Sequence, residues 1–233
     1  MDVDVWFAPE TLLDEAGIAE RLATWLDSDE RARHERMRTA SGRRQQLLAR
    51  GMQRELLSRY EPSIAPADWR FERGAGGRPM LAPSFSVRTG LNFNVAHTVG
   101  LVAVAVGRIA RLGIDVEASS KVVALPVARR YFSPREVAAL DALPPEARPR
   151  RFLRLWTLKE AYLKAVGEGL GGGLDSMTFT LGDNGAIGFE HEGEQQADRW
   201  VFREFQPRGF LVALACFDAA GSVPEVRLRE YRA

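Results

Sequence analysis

A chain of 233 residues with 45% hydrophobic and 27% charged content can bury a core, and its length suits one domain or two smaller halves. Its 32 basic and 31 acidic residues leave a net charge of +1, which argues against a uniform field for duplex nucleic acid. The single cysteine, Cys216, excludes an internal disulfide, and no apolar run approaches the ~20 residues that a membrane-spanning helix needs.

Val3 to Phe7 reads as a first strand, and Pro9 with Thr11 introduces a helix carrying Leu12, Leu13, Ile18, Leu22 and Trp25. Asp27, Ser28 and Asp29 offer caps for a longer helical region, in which Leu47, Leu48, Met52, Leu56 and Leu57 recur at three and four residues. A polar interruption around Ala40 to Gly42 splits that region, and Pro62 and Pro66 end it. Between Arg31 and Arg59 nine arginines meet only Glu35 and Glu55, a local excess of +7 that fits a solvated face or a patch for phosphate or an acidic partner.

Trp69 to Glu72 is a short strand, followed by a Gly-rich turn with Arg73 and Arg78. Three successive strands come next, at Leu91 to Val95, Leu101 to Val106 and Leu112 to Glu117. Their short links favour antiparallel neighbours, and the uninterrupted apolar run of the second makes it central in a sheet. Val122 to Tyr131 is a helix candidate. Ser133, Pro134 and Glu136 supply an N-cap, a first-turn proline and a capping acid for a helix that runs to about Leu143, before Pro144 and Pro145. A further helix spans Arg150 to Val166 with Gly167 as its C-terminal cap. Strands follow at Met177 to Leu181, Ala186 to Glu190, Trp200 to Phe205, Phe210 to Phe217, which buries Cys216, and Val226 to Leu228. This order predicts an α+β chain in two halves of similar layout, 1–108 and 109–233, meeting at a ligand cleft.

The chemistry concentrates in two segments. In Gly113-Ile-Asp115-Val-Glu117 the carboxylates are two residues apart, so on a strand they share one face at roughly 7 Å, and such paired hard oxygens suit Mg²⁺. Trp156-Thr-Leu-Lys159-Glu160-Ala-Tyr-Leu-Lys164 adds a third carboxylate one helical turn before Lys164, with Lys159 about 100° round from Glu160. A divalent cation flanked by ammonium groups suits a pyrophosphate. Taken singly these residues also fit a strand's polar end and a routine surface ion pair. His97 follows the strand Leu91 to Val95, just before the hairpin whose later strand carries Asp115, and fits a structural strand-end residue as well as a functional one, whereas no His and Cys spacing resembles a zinc site. Gly167 to Gly172 satisfies the spacing of a dinucleotide-binding loop, but a helix precedes it where that motif needs a strand.

With Phe93-Asn94-Val-Ala-His97-Thr98, Tyr131-Phe-Ser-Pro-Arg-Glu136 and Gly167, Gly169 and Leu170 added, the chain resembles the 4′-phosphopantetheinyl transferase superfamily, in its Sfp-type members. The resemblance implies a pseudo-twofold pair of α+β halves with coenzyme A bound between them. By motif position it implies Asp115, Glu117 and Glu160 as Mg²⁺ ligands, His97, Lys159 and Lys164 as phosphate contacts, Arg78 near the adenine or 3′-phosphate, and Arg33 as a further phosphate contact. Ala96 stands where the family usually has Ser, which removes one hydroxyl contact to coenzyme A; Thr98 replaces a Ser as well.

The implied reaction is transfer of 4′-phosphopantetheine from coenzyme A to a serine of an acyl or peptidyl carrier protein, with Glu160 accepting the serine proton and Lys164 assisting the leaving phosphate. Arg129, Arg130 and Arg135 are candidate contacts for an acidic carrier helix. The expected setting is a cytoplasmic monomer of secondary metabolism, without nucleic-acid or membrane partners. Two rival readings are a Mg²⁺-dependent phosphodiesterase or nuclease, and a module that binds coenzyme A or a carrier without turnover.

Overall fold

A computed structural model describes residues 2–74, 77–167, 173–182, 184–218, 221 and 223–232. The first strand, β1 (Asp2–Pro9), leads through a short 3-10 turn into α1 (Ile18–Thr24), α2 (Ser28–Arg36) and α3 (Ala40–Tyr60). Asp27 caps α2 in a reciprocal box with Glu30, and the Thr39 hydroxyl caps α3. A small hairpin of β2 (Phe71–Arg73) and β3 (Pro79–Leu81) and the helix α4 (Pro83–Thr89) precede β4 (Asn92–Thr98), β5 (Leu101–Gly107) and β6 (Arg111–Ala118).

Then come α5 (Ala128–Tyr131), α6 (Pro134–Asp141) and α7 (Arg148–Val166), and after them β7 (Met177–Leu181), β8 (Ile187–His191), β9 (Trp200–Phe205), β10 (Phe210–Phe217) and β11 (Glu225–Glu230). The helix expected over Val122 to Tyr131 shrinks to α5, because Pro126 holds Leu125–Val127 in a 3-10 turn.

Two sheets form the centre. One has the order β11-β1-β5-β4, the other β6-β10-β9, and β7 with β8 makes a separate hairpin. β5 is central, as its apolar run requires. β6 does not pair with β5, whose two edges are already taken by β1 and β4; it pairs antiparallel with β10 instead. The seam between the sheets is closed by a side chain: buried Asn94 on β4 accepts the Ile114 N–H of β6 at 2.9 Å. β11 lies parallel to β1, so residues 225–230 complete the first sheet and the chain crosses the division expected near residue 108.

The period of two along each strand sorts the core into layers. Val102, Val104 and Val106 of β5 pack on α1 and α3, whereas Leu101, Ala103 and Ala105 face a central layer with Leu112, Ile114 and Val116 of β6 and Val212, Leu214 and Cys216 of β10. Ala213, Ala215 and Phe217 on the other face of β10 meet α7. The layers therefore run α3, first sheet, second sheet, α7. Among the described residues no helix is long and apolar enough to cross a membrane.

Gly113 sets the closest approach. A Cβ there would stand 2.0 Å from the Ala161 carbonyl oxygen and 2.5 Å from the Ala165 amide nitrogen, so α7 rests backbone to backbone on β6. Gly113→Ala is expected to push α7 off the sheet and cost about 3 kcal/mol, read as a lowered urea midpoint.

Candidate active site

Because Gly113 faces α7, so do Asp115 and Glu117, two and four residues along the same strand. The helix presents Glu160 and Lys164 one turn apart, and Lys164 Nζ donates to Asp115 Oδ1 at 2.6 Å. Glu117 Oε1 accepts from Lys121 Nζ at 2.5 Å, just past the end of β6. Burial pushes the Asp115 carboxyl above the ordinary carboxylate range, against the pull of Lys164. Glu160 is raised by burial and then by the Asp115 charge, with Glu117 adding and Lys164 and Lys121 opposing. The three carboxylates thus share one electrostatic pocket. They do not form a ready-made nest: among the described residues no three His, Cys, Asp or Glu side chains are gathered closely enough to hold a metal ion, and lysines already pair with Asp115 and Glu117.

A cationic cleft opens between α3 and β4. Its volume is about 270 Å³, and its lining includes Arg33, Gln46, Arg50, Gln53 and His97 with Ala49 and Val95. His97 stands at the exposed end of β4, on the same face as Phe93 and Val95. The protein around its ring, followed by the Lys164 charge, holds its pKa below the ordinary imidazole value, which places the cleft within electrostatic reach of the carboxylate pocket. Arg50 escaped the sequence reading among nine arginines; the signal was its place one turn after Gln46 on the buried side of α3. Burial lowers its guanidinium pKa, Glu30 at 3.5 Å opposes this, and Arg33 and Arg54 add like charge.

Two expected ligand contacts lie elsewhere. Lys159 is fully buried, and its ammonium is consumed by Glu136 at 2.8 Å and by the carbonyls of Leu174 and Met177, each at 2.7 Å. It turns inward to these groups because it occupies a different side of α7 from Glu160. Arg78, expected near the adenine or 3′-phosphate, is engaged by backbone carbonyls. Its Nη1 donates to the Lys164 and Ala165 carbonyls near the end of α7, and its Nη2 to Leu112 of β6 at 2.8 Å and Phe93 of β4 at 3.3 Å, while its Nε is buried. With both terminal nitrogens committed, it clasps the seam between the sheets to the helix that carries Lys164. The Ala96 side chain points into the central layer and not into the cleft.

Two sequence-family models match the chain in succession. That of the 4′-phosphopantetheinyl transferase N-terminal region matches residues 18–108, and that of the 4′-phosphopantetheinyl transferase superfamily matches residues 111–215. The 4′-phosphopantetheinyl transferase HetI of Nostoc sp. is 34% identical, with 88% of this chain and 83% of that protein covered. The chain belongs to the 4′-phosphopantetheinyl transferase superfamily. This transferase is also similar to Sfp of Bacillus subtilis, at 28% identity with 73% of each chain covered. Among solved structures, the holo-[acyl-carrier-protein] synthase of Thermotoga maritima aligns with a TM-score of 0.38 and 25% identity over 47% of this chain and 64% of that one. Gly169 and Leu170, part of the quoted motif, and most of the glycine run of 167–172 lie outside the described residues of the transferase.

Arg78→Met is expected to destabilise the transferase by about 2 to 3 kcal/mol in thermal melts, since it strands buried carbonyls. Lysine does not rescue it, because one ammonium cannot reproduce the planar fork. Glu160→Gln gives a pH-dependent gain. The folded pKa of Glu160 lies above its ordinary 4.5, so its contribution to stability is complete below that value and is lost as pH rises through the raised one. Melts in chelator should therefore show the variant more stable than the parent at neutral pH, with the gap closing below pH 4.5.

Proposed function

We propose that the transferase moves 4′-phosphopantetheine from coenzyme A to a serine of an acyl or peptidyl carrier protein and releases adenosine 3′,5′-bisphosphate. The observation that carries this reading is the juxtaposition of a three-carboxylate pocket containing Lys164 with a cleft lined by Arg33, Arg50 and His97. A 3′-phosphorylated adenosine joined to a diphosphate offers anions to the cationic cleft, to Lys164 and to a cation held by the carboxylates.

The donor set fits a hard divalent cation. Asp115 Oδ2 is buried without a hydrogen-bond partner, no hydrogen bond or ion pair among the described residues ties up the Glu160 carboxylate, and the raised pKa values of Asp115 and Glu160 reflect burial and repulsion that a cation would relieve. Asp115, Glu117 and Glu160 would hold Mg²⁺, which supplies charge neutralisation on the diphosphate when bound.

The chain's own residues do the rest. Arg33, Arg50 and His97 hold the anionic groups of coenzyme A in the cleft. The serine oxygen forms a bond to the phosphorus that bears the pantetheine arm, and the bridging P–O bond to the adenosine bisphosphate breaks. Glu160, made more basic by its surroundings, accepts the serine proton. Lys164, held by Asp115, meets the negative charge that develops on the leaving phosphate. The carrier approaches over α5 and α6, where Arg129 and Arg135 are 75% and 65% exposed in surface ion pairs that an acidic helix can replace.

Incubating the parent with coenzyme A, Mg²⁺ and a panel of apo carrier domains should add the mass of one phosphopantetheine to at least one of them. Chelator should abolish the shift, and Asp115→Ala should slow loading on the order of a thousandfold. Parent-rate loading by Asp115→Ala would remove the carboxylate assignment. Cleavage of DNA or RNA that depends on Mg²⁺ and Glu160, with no carrier shift, would favour the nuclease reading, and coenzyme A binding without turnover would favour the binding module.

A further inference from the structure

We propose that Lys159 and Glu136 are a positioning pair: they fix the rotation of α7, and so the places of Glu160 and Lys164, without touching either substrate. The inference rests on the transfer reading given above for those two residues.

The pair joins three elements in the interior of the second half. Glu136 closes the capping box of α6, its Oε2 accepting the Ser133 N–H at 2.9 Å, and its Oε1 accepts the Phe179 N–H of β7 at 2.8 Å. Lys159 Nζ reaches the same Oε2 at 2.8 Å and donates to the Leu174 and Met177 carbonyls just before β7, with the Phe132 ring 5.4 Å below it. The two side chains are 0% and 1% exposed, so neither faces a cleft or a bound phosphate.

Consecutive residues on a helix diverge by about 100°. A lysine nailed to α6 and β7 therefore dictates where its neighbour Glu160 points, and Lys164 one turn later follows. Removing one partner leaves the other charge buried and unpaired, a state the chain escapes by rotating or shifting α7. Such a shift moves the proton acceptor while leaving Arg33, Arg50 and His97, on other elements, in place.

The test compares the parent with Glu136→Gln and Lys159→Met, measuring the coenzyme A Kd by calorimetry and the kcat of carrier loading well below each melting midpoint. In both variants kcat should fall about a hundredfold, and any coenzyme A affinity lost through the displaced Glu160 and Lys164 should be lost to a similar extent in the two. A weakening of coenzyme A binding beyond about tenfold in Lys159→Met, with Glu136→Gln like the parent, makes Lys159 a direct ligand and overturns the proposal. Parent kcat in both variants, whatever their melting midpoints, reduces the pair to fold stability and overturns it too. Should Lys159→Met fail to fold, Glu136→Gln decides alone by the same two measurements. A parent that loads no carrier brings down the transfer reading itself, an outcome distinct from all of these.

Discussion

The contact between the backbone of α7 and β6 at Gly113 is the constraint on which the site depends. A side chain there would hold helix and strand apart, and the carboxylates two and four residues along the strand would lose the helix that answers them. With the gap closed, Asp115 meets Lys164 at 2.6 Å and Glu160 lies within the field of both β6 carboxylates. One missing Cβ thus converts a polar strand end into a crowded pocket of charge.

That pocket is costly in the absence of ligand. Burial and mutual repulsion raise the carboxyl pKa values of Asp115 and Glu160, and one oxygen of Asp115 has no partner. In the neighbouring cleft burial and nearby cations lower the pKa values of Arg50 and His97, with Glu30 opposing at Arg50 and Glu10 at His97. Other buried ions are matched within the fold: Arg54 binds Glu30, Asp27 and the Trp69 carbonyl, and Lys159 binds Glu136.

Much of this was legible along the chain. The alternation in Gly113-Ile-Asp115-Val-Glu117 put both acids on one face, the Ser133 and Glu136 capping box marked α6, and Gly167 ended α7 in the left-handed conformation at φ 84°. These depend on near neighbours and on short periods, which sequence records directly. The partner of β6 was not legible, because it depends on which sheet edges remain open once β1 and β4 have flanked β5. Nor was the return of β11 to the first sheet.

The amino-acid sequence by itself determined the set of charged groups, their spacing and the elements that carry them, because hydrogen bonding and side-chain period act locally. Only the tertiary structure decided which of two lysines five residues apart meets a carboxylate of β6. Lys164 meets Asp115 while Lys159 is drawn inward by Glu136, and Arg78 is spent on carbonyls of α7, β4 and β6. The physical reason is that a cation goes to the nearest unsatisfied oxygen, and nearness between distant segments exists only after the sheets and helices have packed.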